Sequence, residues 1–171
     1  EHYLAQAQWA AGIYGLQDRI DFHHMGVYEV AKLPGRYDLV WFMGVFYHLR
    51  YPMLALDLLA QRTDRLLMFQ TLTMPGDTVH PDTRDRPIHE RDQFLDPGWP
   101  KMAFVEDRFA NDPSNWWVAN HAGCEAMLRA AGLRIVQRPA HEMYLCEPDP
   151  DSDAREWASR QLVDASVQAL H

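Results

Sequence analysis

Tyr37-Asp38-Leu39-Val40-Trp41-Phe42-Met43-Gly44-Val45-Phe46-Tyr47-His48-Leu49-Arg50-Tyr51-Pro52 is the stretch that decides the fold. Leu39 to Phe42 is a continuous apolar run, the pattern of a strand covered on both faces. The run stops at Gly44, where a residue without a side chain lets the backbone turn sharply. A short polar and aromatic turn follows. Pro52 suits the first turn of a helix, and Met53, Leu54, Leu56, Leu58 and Leu59 continue it to about Arg62. Open α/β sheets hold their ligands at strand ends of this kind.

Working outward, Arg65 to Leu72 reads as a second buried strand. Upstream, Leu4, Ala7, Ala11 and Tyr14 recur at helical spacing, with Gly15 as a C-cap. Ile20 to Met25 alternates as a short strand would, and Pro34-Gly35 closes a turn. Residues 73–112 are rich in Pro, Asp, Arg and Gly and show no long period, so they read as one long loop, functional or disordered, that could act as a lid. Asn120 caps a helix that runs to Ala131 and ends at Gly132. Leu133–Gln137 and Glu142–Cys146 form a hairpin-like pair of strands. An acidic break, Asp149-Pro150-Asp151-Ser152-Asp153, precedes a last helix carrying Trp157, Leu162, Val163, Val167 and Leu170. The division is therefore residues 1–148 and residues 149–171. The order α-β-α-β-loop-α-β-β-α implies a mostly parallel, two-sided α/β sheet with an antiparallel last strand.

Composition narrows the function. The hydrophobic share of 47% and charged share of 23% suit a soluble globular chain. No apolar run approaches the ~20 residues of a membrane span, and no signal peptide is visible. Cys124 and Cys146 lack CxxC spacing and read as reduced thiols, which fits a cytoplasmic protein. The formal net charge of −8 counts against binding nucleic acid through its phosphates. The cations Arg84, Arg86, Arg91, Lys101 and Arg108 are scattered rather than gathered in a patch.

The strand-turn-helix from Tyr37 to Pro52, the Tyr47-centred motif and the Asn115-Trp116-Trp117 region resemble class I S-adenosylmethionine-dependent methyltransferases. The likeness runs to about Cys146, and is nearest to the tRNA uridine-34 (carboxymethyl/methoxy-type) methyltransferase branch. It implies a Rossmann-like methyltransferase fold with sheet order 3-2-1-4-5-7-6. In that fold a Gly-rich turn follows the first strand, and an acid at the end of the second strand holds the ribose. Neither is present here, so the resemblance implies an incomplete fold beginning just after the second strand. A chain of that kind is expected to be inactive and aggregation-prone by itself, because strands lacking partners leave open edges.

The cofactor implied is S-adenosylmethionine or a carboxylated derivative. Met43, Gly44 and Tyr47 are the cofactor candidates at the strand end, where Met43 and Tyr47 can offer a soft, polarizable wall to a sulfonium. The resemblance adds Tyr28 and Glu29. Core packing is the alternative for Met43 and Tyr47, and a solvated loop for Tyr28 and Glu29. Tyr47 and His48 are the catalytic candidates, His48 as a base near neutral pH or as a helix cap. Arg50 can pair with an anionic group. Asn115, Trp116, Trp117 and Asn120 form the expected substrate wall, since adjacent Trp residues in a polar loop need burial or stacking. The alternative is that one Trp plugs the core.

No metal is expected. His23-His24, His80, His89 and His121 show no ligand spacing, and adjacent strand histidines face opposite ways. The expected acceptor is a small molecule, with tRNA second. A non-catalytic binding module using the Trp loop is the other class of function. A dinucleotide oxidoreductase is disfavoured by the absence of its glycine fingerprint.

Overall fold

The computed structural model describes residues 2–80 and 87–153. The helix expected at the C-terminus, with Trp157 to Leu170, lies outside the described residues. By packing the chain divides into two units, Glu1–Leu33 and Pro34–His171.

In the first unit, α1 (His2–Ile13) forms as the spacing predicts. It closes at Gly15 with paired bonds, Gly15 N–H to the Gly12 carbonyl and Leu16 N–H to the Ala11 carbonyl, the Schellman arrangement. Only Ala11 on this helix is buried, while Trp9 and Tyr14 are exposed, so the apolar stripe is narrower than the spacing suggests. The strand expected at Ile20–Met25 does not form. Its alternation is genuine, but a strand needs a neighbouring ladder, and none is offered among the described residues. Val27–Lys32 is a 3-10 turn instead.

The second unit is built on a four-stranded sheet. β1 (Tyr37–Met43) pairs in parallel with β2 (Thr63–Gln70) through α2 (Pro52–Arg62), whose first residue is the expected proline. Residues 73–112 are not structureless: β3 (Met102–Phe104) pairs antiparallel with β4 (Trp117–Ala119). α3 (His121–Ala130) leads into β5 (Leu133–Ala140), which turns back as β6 (Met143–Pro148). β6 inserts antiparallel beside β2, and the order is β1-β2-β6-β5. That is the 4-5-7-6 portion of the expected order, with the antiparallel last strand in place.

Among the described residues one face of the sheet is buried, and the other is half-buried along β2 and β6 and exposed along β1. Phe42, Leu67, Phe69, Tyr144 and Cys146 share the inner face and are buried. α2 sets Ala55, Leu56, Leu58, Leu59 and Ala60 into the core, and α3 meets this face where His121 bonds to the Tyr144 hydroxyl. Tyr37, Leu39 and Trp41 alternate onto the opposite face, and Trp41 is 66% exposed. The expectation of a strand buried on both sides is therefore corrected for β1. A continuous apolar run shows that a strand is apolar all round, not that both faces are covered. Among the described residues no helix is long and apolar enough to cross a membrane.

Candidate functional site

β1 ends where the sequence places its turn. Gly44 has φ +69°, and its N–H reaches the Gln70 carbonyl at 3.3 Å. A Cβ added there would meet nothing closer than 3.8 Å, so the backbone angle and not space calls for glycine. Phe46 then anchors the turn. It is 1% exposed and packs edge-on against Phe69 at 5.2 Å and Phe42 at 6.4 Å. With Phe46 pinned, Met43, Tyr47 and His48 are left half-buried along the strand end.

The Trp loop is tied to this turn. Trp116 N–H donates to the Tyr47 carbonyl at 2.9 Å, and Val105 N–H donates to the Trp116 carbonyl at 2.8 Å. Trp116 stacks on Phe104 with a 13° interplanar angle, and Trp117 packs on Phe104 at 4.9 Å. The Arg50 guanidinium lies 4.9 Å from the Trp116 ring and 5.0 Å from Phe104. Such a contact stabilises by roughly 0.5–2 kcal/mol. The expected substrate wall is thus an aromatic platform already carrying a cation of its own chain.

His48 is held by Ser114. Its Nδ1 lies 3.0 Å from Ser114 Oγ and 3.2 Å from the Ser114 carbonyl. Ser114 spends its only hydroxyl proton on Asp112 Oδ1 at 2.6 Å. A carbonyl accepts only, and this hydroxyl has no proton left, so Nδ1 must carry the hydrogen. Nε2 of the neutral ring is then the bare nitrogen. The Ser114 hydroxyl and N–H together hold the Asp112 carboxyl below its ordinary range. Asp112 and Ser114 are functional candidates that sequence reading missed. Asp-x-Ser in a Pro-rich loop looks like any turn, and no spacing links it to His48.

Two expected site residues have structural work. Asn120 Oδ1 accepts from Gly123 N–H at 2.8 Å and Lys101 N–H at 2.9 Å, while Nδ2 donates to the Pro97 and Trp99 carbonyls. All four of its hydrogen-bonding positions are taken, leaving none for a ligand. Glu29 closes the 3-10 turn by accepting from Gly26 N–H at 3.0 Å and pairs with Lys32, which together lower its pKa, the Lys32 bond most. Tyr28 stands beside it in the same turn of the first unit. Asn115 is 6% exposed; its Nδ2 donates to the Phe109 carbonyl, and its buried Oδ1 has no partner among the described residues. A hollow of about 330 Å³ lined by Asp64, Arg65, Leu66, Glu147 and Pro148 lies at the amino end of β2, opposite to the Gly44 turn.

No family model matches the chain. A stretch of 59 residues is 41% identical to the uncharacterized protein syc1184_c of Synechococcus sp., covering 34% of this chain and 14% of that protein. Among solved structures, an O-methyltransferase family protein from Burkholderia thailandensis matches 85% of the chain at TM-score 0.53 and 17% identity. TnmH matches the same share at TM-score 0.55 and 15% identity. The N-terminal domain of EvdMO1, crystallised in the presence of SAH and D-fucose, matches it at TM-score 0.51 and 19% identity. This chain has the class I methyltransferase fold. It spans 40%, 40% and 61% of those three structures.

Proposed function

We propose that the chain belongs to an S-adenosylmethionine-dependent methyltransferase acting on a hydroxyl of a small-molecule acceptor. The observation that carries this is His48, with its proton fixed on Nδ1 by Ser114 and its Nε2 bare, one turn beyond Gly44 at the carboxyl end of β1. The fit to the cofactor rests on the same strand end. Gly44 offers bare backbone there, and Met43 and Tyr47 flank it with a thioether and a half-buried ring. These residues would hold one wall of the cofactor. The 171 residues contain no Gly-x-Gly turn to hold another.

When bound, the cofactor supplies an activated methyl group. The chain's own part is positioning and proton removal. His48 Nε2 accepts the acceptor's hydroxyl proton. Ser114 and Asp112 hold the ring and stabilise the imidazolium that results. The Trp116–Phe104 platform, with Arg50 on it, sets the acceptor's side of the site. The net charge of −8 supports a small molecule over tRNA.

The test is methyl transfer from labelled S-adenosylmethionine, with the protein expressed from its complete coding sequence. Hydroxylated small molecules and tRNA are offered in parallel. SAH binding by calorimetry, transfer to a small molecule and its loss in His48→Gln support the reading. Transfer to tRNA alone overturns the acceptor. Absence of SAH binding overturns the enzyme and leaves a binding module.

A further inference from the structure

A second cluster of titratable side chains lies at the carboxyl end of β2. Asp77 comes from the chain after β2, His121 from the first turn of α3 and His141 from the β5–β6 turn. Asp77 Oδ1 lies 3.5 Å from His121 Nε2 and 3.4 Å from His141 Nδ1, and the three ligand atoms all fall within 4.8 Å of one another. Ligand bonds of about 2.0–2.1 Å around a tetrahedral ion put neighbouring ligand atoms about 3.3 Å apart. The two measured edges are close to that spacing.

The cluster is backed as a metal site is backed. Arg138 Nη2 lies 2.8 Å from His121 Nε2. A guanidinium only donates, so Nε2 carries a lone pair and the ring proton is on Nδ1. That proton goes to the hydroxyl of Tyr144, which is fully buried. An outer partner of this kind fixes the tautomer and the ring orientation of a ligating histidine. Glu142 fixes the remaining two arms: it accepts from the Thr73 N–H and hydroxyl and from Gln70 Nε2, so the β5–β6 turn is bound to the chain leaving β2. Asp77 and His141 are exposed, which leaves the cluster open to solvent.

The same guanidinium nitrogen lies 2.7 Å from Asp77 Oδ1. A cationic N–H therefore already stands where two of the ligand atoms converge. We propose that Asp77, His121 and His141 form a binding site for a divalent ion of the zinc type, which the Arg138 guanidinium fills until an ion displaces it. Two imidazoles and one carboxylate are a donor set that zinc uses with a fourth position left for water or substrate. Displacement costs the ion the Arg138 contacts, so the arginine sets the affinity.

The experiment titrates the full chain with Zn²⁺ against a chromophoric chelator, and with Co²⁺ followed by its visible d–d absorption. One equivalent bound, with a tetrahedral cobalt spectrum, is expected. His141→Ala and Asp77→Asn should each weaken binding by tenfold or more, and Arg138→Gln should tighten it. Both ligands replaced are exposed, so circular dichroism should show the fold retained, whereas His121→Ala also strips the buried Tyr144 hydroxyl of its imidazole partner and leaves it only Cys124. Absence of stoichiometric binding overturns the site. Binding that survives both exposed-ligand variants does so too, since the ion then sits elsewhere, for instance at the exposed His80–Asp96 pair. Binding weakened in Arg138→Gln overturns the exchange.

Discussion

Asp57 lies on α2 among residues that fill the core, and burial pushes its carboxyl up to about 6. Folding therefore raises its proton affinity. The folded chain holds this proton between about pH 4 and 6 when the unfolded chain has released it. Stability is present below the unfolded value of 3.8 and falls as pH rises through about 6. Asp57→Asn should stabilise the chain at pH 7 by about 1–2 kcal/mol, once partial exposure is allowed for. Thermal melts should show the gap closing near pH 4; a gap unchanged with pH would remove burial as the cause. His48 gives the second residue-scale expectation. His48→Gln should lower kcat by roughly 10²–10⁴-fold while SAH affinity holds. Ser114→Ala should lower kcat less and leave KM in place, since Ser114 acts only through the ring; an unchanged kcat would make Ser114 merely structural. The place of Tyr47 and His48 just past a strand end was legible in the sequence, because the apolar run and Gly44 mark that end locally. Ser114, Asp112 and the Asp77–His121–His141 cluster were not, because the contacts that define them join residues far apart along the chain.

At the scale of elements, α3 depends on how closely β3's chain approaches it. A Cβ on Gly123 would stand 2.5 Å from the Lys101 carbonyl oxygen and 3.0 Å from Asn120 Oδ1. The nearest clash is backbone, which cannot swing aside. Gly123→Ala, favourable by helix propensity alone by about 1 kcal/mol, should therefore destabilise. Asn120→Ala should cost about 2 kcal/mol or more, since it removes the cap and leaves the Lys101 N–H and the Pro97 and Trp99 carbonyls without their partner. Denaturant midpoints measure both; a stabilised Gly123→Ala would show that Lys101 can move. Asn120 was readable as a cap because Asn before a helical run is a local signal. Its second task was not, because β3 is only three residues long and has no period to detect. The opposite holds at Ile20–Met25, where a period exists and no partner strand among the described residues answers it. Local pattern reports what a segment can do, and pairing decides whether it does.

At the scale of the molecule, the sheet's two faces set how the chain behaves in solution. Inside, Leu67, Phe69, Tyr144 and Cys146 are sealed by helices. Outside, Tyr37 is 39%, Leu39 52% and Trp41 66% exposed, on a strand bonded only along its β2 side among the described residues. Exposed apolar side chains in a row beside unpaired backbone groups form a template for another copy of the chain. Fully burying one such large side chain is worth about 1.5–3 kcal/mol, and the exposed share of these three contributes part of that toward association. The 171-residue chain should therefore associate with rising concentration in sedimentation velocity and bind a hydrophobic dye. Leu39→Lys with Trp41→Lys should suppress both, because neither position supports the buried face and a charge there opposes stacking and edge pairing alike. A monomer at every concentration, melting in one cooperative transition, would mean that the outer face and edge of β1 are not accessible to a second chain.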